Sequence, residues 1–109
     1  MTTQSKTLAF YLQQLSDLEK EEIAKNKEYG SILILAIMEE VGEIARAYLA
    51  EHGRKKTNLS AQQDESYKQE LGDLLVSILK LAIYKNIDLD ERIIYTLKKI
   101  KKRKLRPKT

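Results

Sequence analysis

The sequence predicts an all-α protein, a four- to five-helix bundle whose core is shared between the subunits of an oligomer. Apolar residues recur at helical spacing along most of the 109 residues, and no segment alternates apolar and polar side chains as a half-buried strand does. Polar capping residues stand where helices would begin, and glycine or asparagine stands where they would end. Short connections between four such helices are typical of a bundle.

The first two helices are predicted from leucine spacing and from capping residues. The first begins at about Ser5, and a capping-box pattern at Ser16 predicts that it breaks and restarts there. A turn then places Ser31 as the N-cap of the second helix. This helix is expected over residues 32–52, and Gly53 is placed to end it.

The third and fourth helices follow a polar, basic loop. Another capping-box pattern predicts a third helix from Ser60 to about Lys85, and Asn86 begins a short break. Asp88 is placed to cap the fourth helix. Pro107 stops any continuation of that helix. We expect one domain over residues 1–104 and a frayed basic tail over residues 105–109.

Charge is divided unevenly along the chain. Residues 96–109 carry eight basic side chains and no acidic one, whereas residues 1–95 carry 12 basic and 16 acidic side chains. Any binding of a polyanion would therefore depend on the C-terminal segment. That segment has no interleaved aromatic residues for base stacking, and the acidic body would repel a nucleic-acid backbone. Both features disfavour nucleic acid as the main partner.

The composition excludes several kinds of site. Without cysteine there are no disulfides, thiolate metal sites or cysteine nucleophiles, and the single histidine, His52, disfavours a histidine-based site. No apolar run is long enough to cross a membrane, and the N-terminus lacks the apolar core of a signal peptide. We expect a cytoplasmic protein with no membrane partner, whose chemistry uses carboxylates, lysines, arginines and hydroxyls.

Two short segments repeat one acidic pattern at an offset of 30 residues: Glu40-Val41-Gly42-Glu43-Ile44 and Glu70-Leu71-Gly72-Asp73-Leu74. Each segment places two carboxylates three residues apart, on one face of a helix. If the two helices face each other, four carboxylates surround a small volume. A hard divalent cation with oxygen ligands, Mg²⁺ or alternatively Mn²⁺, is the natural counter-charge.

The repeated segments also share a glycine, Gly42 in one and Gly72 in the other. A glycine inside a helix costs about 1 kcal/mol relative to alanine. We therefore expect close helix approach, or room for a ligand, at both positions. Ordinary solvated surface acids are the alternative interpretation. A ferritin-like di-iron site is disfavoured because neither segment contains the histidine that such a site uses.

The pattern Glu39-Glu40-x-x-Glu43, followed after 26 residues by Glu70-x-x-Asp73, resembles the signature of the MazG-like, all-α nucleoside triphosphate pyrophosphohydrolases. The likeness covers about residues 29–103. Single-domain members of that family assemble as dimers or tetramers and require Mg²⁺. They cleave nucleoside triphosphates between the α- and β-phosphates, giving the monophosphate and pyrophosphate. The resemblance therefore implies an enzyme that acts on NTPs or dNTPs, in nucleotide-pool housekeeping.

The resemblance also implies roles for individual acids. The family's metal ligands fall on Glu40, Glu43, Glu70 and Asp73. Glu39 falls on the first acid of the motif and is implied to orient the attacking water. On chemical grounds, either Glu39 or Glu43 could then accept the proton of that water.

Phosphate and base contacts are implied less directly. Lys99 and Arg103 fall near the phosphate-holding positions of the last helix. Ile100 and Thr96 stand where some members carry asparagine and lysine. Independently of the resemblance, the tyrosines of the helices fit the core or an interface best, and Tyr29, in the turn before the helix that carries the first acids, is the candidate for a contact with the base.

Two other functions are also compatible with the sequence. One is a catalytically inactive helical module that binds a nucleotide or a partner. The other is nucleic-acid binding through the basic C-terminal tail, which would be sensitive to salt and would survive chelation of Mg²⁺.

An apolar run predicts the assembly. Residues 32–38 are seven consecutive apolar residues, so they cover every side of nearly two helical turns. A lone four-helix bundle leaves each helix an outward face, whereas a second copy would cover it. We therefore expect a homodimer or homotetramer whose interface buries more than about 2,000 Å².

Overall fold

The computed structural model describes residues 4–25, 27–51 and 67–105. These residues form four helices: α1 (Leu8–Lys25), α2 (Tyr29–Glu51), α3 (Tyr67–Lys85) and α4 (Leu89–Leu105). They contain no strand, so the predicted all-α bundle is confirmed. The most extensive packing is between α2 and α3, and α1 packs against α3. None of the four helices is both long enough and apolar enough to cross a bilayer.

Helix α1 differs from its prediction in where it begins and in having no break at Ser16. It begins at Leu8 rather than at about Ser5, because Thr7 is the N-cap: its Oγ1 accepts a hydrogen bond of 3.1 Å from the backbone N–H of Phe10. The predicted break at Ser16 is wrong, since α1 is continuous through that residue. Half-buried residues on both sides of Ser16 continue one packed face, which favours an unbroken helix.

Helix α2 also begins earlier than predicted, at Tyr29, so Ser31 lies inside the helix and is not its N-cap. The backbone N–H of Ile32 donates to the carbonyl of Glu28 at 3.0 Å, which places the first helical hydrogen bond before Ser31. Tyr29 is only 7% exposed, and its ring packs edge-to-face on Tyr84 with the ring centroids 5.3 Å apart. Burial of this ring explains the early start.

The junction between α3 and α4 confirms the predicted break and cap. Asn86 has a φ of 56°, and the backbone N–H of Ile87 donates to the carbonyl of Ala82 at 2.8 Å. This combination is the Schellman ending of a helix, which asparagine tolerates well. Asp88 then caps α4, because its Oδ1 accepts a 3.2 Å hydrogen bond from the backbone N–H of Glu91. The predicted caps at Gly53 and Ser60, and the predicted stop at Pro107, lie outside the described residues.

The buried apolar set of the described residues is small: Tyr29, Leu33, Ala47, Leu79 and Ala82. None of their side chains is completely buried, and α4 contributes no buried residue. Exposed apolar residues instead follow one outward side of α2, which we call the outer face: Ile34, Leu35, Met38 and Val41. A single chain therefore leaves much of its apolar surface in water.

The glycines do not mark close approach where the sequence predicted it. A Cβ built on Gly42 would have no neighbour within 4 Å, and one on Gly72 would lie 3.9 Å from Gln69 Nε2. Both glycines are exposed. Close approach occurs at Gly30 instead, where a Cβ would lie 2.9 Å from Cε2 of Tyr84. Within one chain, the motif glycines therefore do not mark close helix approach, and the other alternative, room for a ligand, stays a prediction.

Candidate metal centre

Two acids of α2, Glu40 and Glu43, occupy the side of the helix that packs on α3. Leu33, Glu40 and Ala47 are spaced seven residues apart, so they lie on one line along the helix. Leu33 and Ala47 are buried, and Glu40 takes the position between them, where an apolar side chain would complete the packing. Glu43, three residues further on, shares this side. The packing of α2 on α3 thus turns both carboxylates inward.

Three carboxylates converge between α2 and α3. One oxygen from each of Glu40, Glu43 and Glu70 lies within 4.8 Å of the other two, and we call this group the acid cluster. Glu70, on α3, is 8% exposed. Oε2 of Glu40 and Oε2 of Glu70 are buried and have no hydrogen-bond partner among the described residues. A buried anionic oxygen without a partner is costly, so this arrangement could hold a metal ion.

The electrostatics of the acid cluster reflect this crowding. The pKa of Glu70 is raised, first by the neighbouring carboxyl group of Glu40 and then by burial. The pKa of Glu43 is raised by the neighbouring carboxyl group of Glu70, by burial, and by the charge of Glu39, whereas Arg46 lowers it. Crowded carboxylates of this kind favour a bound cation, which would offset their mutual repulsion.

Asp73, the fourth predicted ligand, is not part of this group. It lies three residues beyond Glu70 on α3 and is half-buried. Its Oδ1 accepts a hydrogen bond of 3.1 Å from Nε2 of Gln69, and its charge raises the pKa of Glu70. The structure thus brings together three of the four predicted metal ligands and places Asp73 next to them. Gln69 was not predicted, although its spacing of four residues from Asp73 is visible in the sequence.

The other predicted residues lie in different surroundings. Glu39 is exposed, and its negative charge raises the pKa of Glu43. Lys99 and Arg103 are exposed on α4, and neither forms an ion pair within the part of the chain that the structure describes. The Nζ of Lys99 lies 5.1 Å from the centre of the Tyr95 ring. The structure does not bring these two basic residues to the acid cluster, so their role as phosphate contacts stays a prediction.

Tyr29 belongs to the packing of the bundle. Its hydroxyl donates to Oε2 of Glu19 at 3.2 Å, and burial together with the negative charge of Glu19 raises the pKa of Tyr29 to about 12. Oε1 of Glu19 also pairs with Nζ of Lys80 at 2.9 Å. Glu19 therefore ties α1 to both α2 and α3, a contact that helical periodicity does not predict. A base contact at Tyr29 would require its ring to be uncovered, and it stays a prediction.

Comparison with known proteins identifies the family. The family model of the MazG nucleotide pyrophosphohydrolase domain matches residues 30–106, which include the acid cluster, Glu39 and Asp73. No curated protein and no solved structure matches the chain. Helix α1 lies before the matched region, and α2, α3 and α4 lie almost entirely within it. The chain belongs to the MazG family of nucleotide pyrophosphohydrolases.

Proposed function

We propose that this protein is a Mg²⁺-dependent pyrophosphohydrolase that converts an NTP or dNTP to the monophosphate and pyrophosphate. The observation that supports this most directly is the acid cluster, with its two buried and unpartnered oxygens, inside the region that matches the family. Acids on a solvated surface would not be buried in the packed face of two helices. We further propose that the protein acts in the cytoplasm, in nucleotide-pool housekeeping.

The donor set of the proposed site suits a hard divalent cation. The ligands would be Glu40, Glu43, Glu70 and Asp73, which supply only carboxylate oxygens. Mg²⁺ prefers such ligands, and Mn²⁺ accepts them as well. When bound, the cation would neutralise the acids, attract the triphosphate and make a bound water more acidic.

The chain's own residues would perform the remaining steps. Glu39 is exposed beside the acid cluster, so it can meet a water that approaches from solvent and can accept its proton together with Glu43. Lys99 and Arg103 would bind the phosphates and stabilise the charge on the departing pyrophosphate. Tyr29 is the proposed contact for the base.

Assembly is part of the proposal, because in a single chain α4, the helix with the proposed phosphate contacts, is not packed into the core. No residue of α4 is buried, and the outer face of α2 is exposed. We propose a homodimer or homotetramer in which a second copy covers these apolar surfaces. Opposite charges favour the same arrangement, since residues 96–109 are basic and the body of the chain is acidic. The basic residues of α4 would then approach the acid cluster of the partner.

A substrate panel tests the proposed function. The protein is incubated with each common NTP and dNTP, with Mg²⁺ or with a chelator, and the monophosphate, pyrophosphate and orthophosphate are quantified. We expect pyrophosphate and monophosphate in equal amounts, and only when the cation is present. Orthophosphate and the diphosphate would contradict the proposed bond cleavage. Nucleotide binding without turnover across the panel would instead indicate an inactive binding module.

A further inference from the structure

A glutamine beside the acid cluster holds one of the proposed ligands. Gln69 immediately precedes Glu70 on α3, and its Nε2 donates to Oδ1 of Asp73 at 3.1 Å. Gln69 is exposed, whereas Asp73 is half-buried and close enough to Glu70 to raise its pKa. The amide of the exposed Gln69 therefore contacts Asp73, the one proposed ligand that is not part of the acid cluster.

The chain contains a second contact of the same kind away from the site. On α1, Nε2 of Gln13 donates to Oδ1 of Asp17, also at 3.1 Å and also across four residues. Asp17 is exposed on α1, so its hydrogen bond can contribute only to the helix itself. The two pairs share side chains, spacing and distance, and they differ in their surroundings. Gln13 is thus a built-in control for a role of Gln69 at the site.

We propose that Gln69 is a positioning residue that fixes the carboxylate of Asp73 for the cation. By holding Oδ1, the amide leaves Oδ2 as the oxygen that Asp73 presents. Because the cation is itself proposed, this role rests on the proposed function. Carboxylates that ligate metals are usually held by such hydrogen bonds, and removing the partner typically weakens metal binding by about 10- to 100-fold.

The chemistry of the amide explains why glutamine suits this position. A glutamate at position 69 would repel both Glu70 and Asp73 and could not donate a hydrogen bond while ionised. A lysine would donate, but its positive charge would compete with the cation. A neutral donor orients Asp73 without changing the charge of the site. It also favours a single coordinating oxygen, which fits the strict octahedral geometry of Mg²⁺ better than the looser geometry of Ca²⁺.

Metal binding to the intact protein without nucleotide tests this role. Calorimetric titrations with Mg²⁺, Mn²⁺ and Ca²⁺ are compared for the wild type, Gln69→Ala, Asp73→Asn, the double variant and the control Gln13→Ala. We expect Gln69→Ala to weaken Mg²⁺ binding about 10-fold and Ca²⁺ binding by less. Gln13→Ala should bind as the wild type does. The double variant should bind no more weakly than Asp73→Asn alone, because Gln69 acts through Asp73.

The outcomes separate this inference from the proposed function. If Asp73→Asn weakens Mg²⁺ binding but Gln69→Ala behaves like Gln13→Ala, Gln69 does not position the ligand and the metal centre stands. A further loss in the double variant would likewise overturn the inference, since Gln69 would then act by another route. An unchanged Mg²⁺ affinity in Asp73→Asn would refute it as well. If Glu40→Gln also binds Mg²⁺ unchanged, the proposed metal centre itself fails.

Discussion

Replacing Leu35 by glutamate tests whether the outer face of α2 is covered by another subunit. Leu35 is 63% exposed in the single chain, so a charge there should be harmless if the protein is a monomer. Surface substitutions of that kind usually change the free energy of unfolding by about 0.5 kcal/mol or less. In the proposed assembly the same side chain is enclosed by the partner, and the substitution affects both copies.

The expected magnitude follows from the exposed fraction. Burying a whole leucine side chain contributes about 1.5–3 kcal/mol, so covering the exposed part of Leu35 contributes about 1–2 kcal/mol per protomer. Enclosing a carboxylate without a partner adds a penalty of several kcal/mol, part of which it escapes by protonation or by reaching water. A loss of about 3 kcal/mol per protomer, counted in both copies, weakens dimerisation about ten-thousand-fold.

Light scattering over a range of protein concentrations measures this effect. The wild type should have about twice the monomer mass of 12.6 kDa or a higher multiple, whereas Leu35→Glu should dissociate at micromolar concentration and lose activity. Leu18→Glu is the matched control, since Leu18 is 76% exposed on α1 and lies outside the outer face. A stable, active wild-type monomer, or equal masses for the two variants, would refute the proposed assembly.

Three further substitutions test the packing of the bundle. The pKa of Tyr29 is about 12 in the folded state and 10 for the free group. The neutral hydroxyl of Tyr29 therefore contributes fully to the free energy of unfolding below pH 10, and this contribution is lost as the pH rises towards 12. Tyr29→Phe should therefore reduce the loss of stability between pH 9 and 11.5 by roughly 2 kcal/mol at most, measured by urea unfolding; equal pH dependence would contradict the raised pKa. Gly30→Ala should lower the free energy of unfolding by about 1–3 kcal/mol, because its methyl group meets the Tyr84 ring at 2.9 Å. Gly72→Ala should not lower the free energy of unfolding, because its methyl group has room. Equal losses for the two variants would contradict the contact between position 30 and Tyr84. Asn86→Ala should lower the free energy of unfolding by about 1 kcal/mol, because alanine is strained at the positive φ of this residue, whereas Asn86→Gly should not lower it. Thermal unfolding measures the difference, and equal melting temperatures for the two variants would contradict the helix ending.

The fold was predictable because its signals are local. The cap at Asp88 and the break at Asn86 are set by a few neighbouring residues, and the structure has both. The predicted cap at Ser31 and the predicted break at Ser16 failed for a shared reason. A serine can be the N-cap of a helix only if the residues before it are not helical, and here packing keeps those residues helical. For Ser31 that packing is the burial of Tyr29 against α3, which no local pattern records.

The candidate site was predictable to the level of helix faces. The spacing of Glu40, Glu43 and Glu70 placed them on facing sides, and their oxygens do converge. Spacing gives no side-chain conformation, however, so it could not show that Gln69 holds Asp73 beside the group. Nor could it show which glycine lies against a neighbouring helix, since that depends on the partner side chain across the interface.

Turnover of a nucleoside triphosphate by Glu40→Gln, compared with the wild type, tests the central claim most directly. Glu40 supplies a buried, unpartnered oxygen to the acid cluster, and the substitution removes its charge while keeping its shape. Glu22→Gln, at an exposed position of α1, is the control. We predict that the wild type and the control release pyrophosphate in the presence of Mg²⁺. Glu40→Gln should release none, although its metal-free melting temperature is no lower than that of the wild type. A near-native kcat for Glu40→Gln at saturating Mg²⁺ would contradict the proposed metal centre.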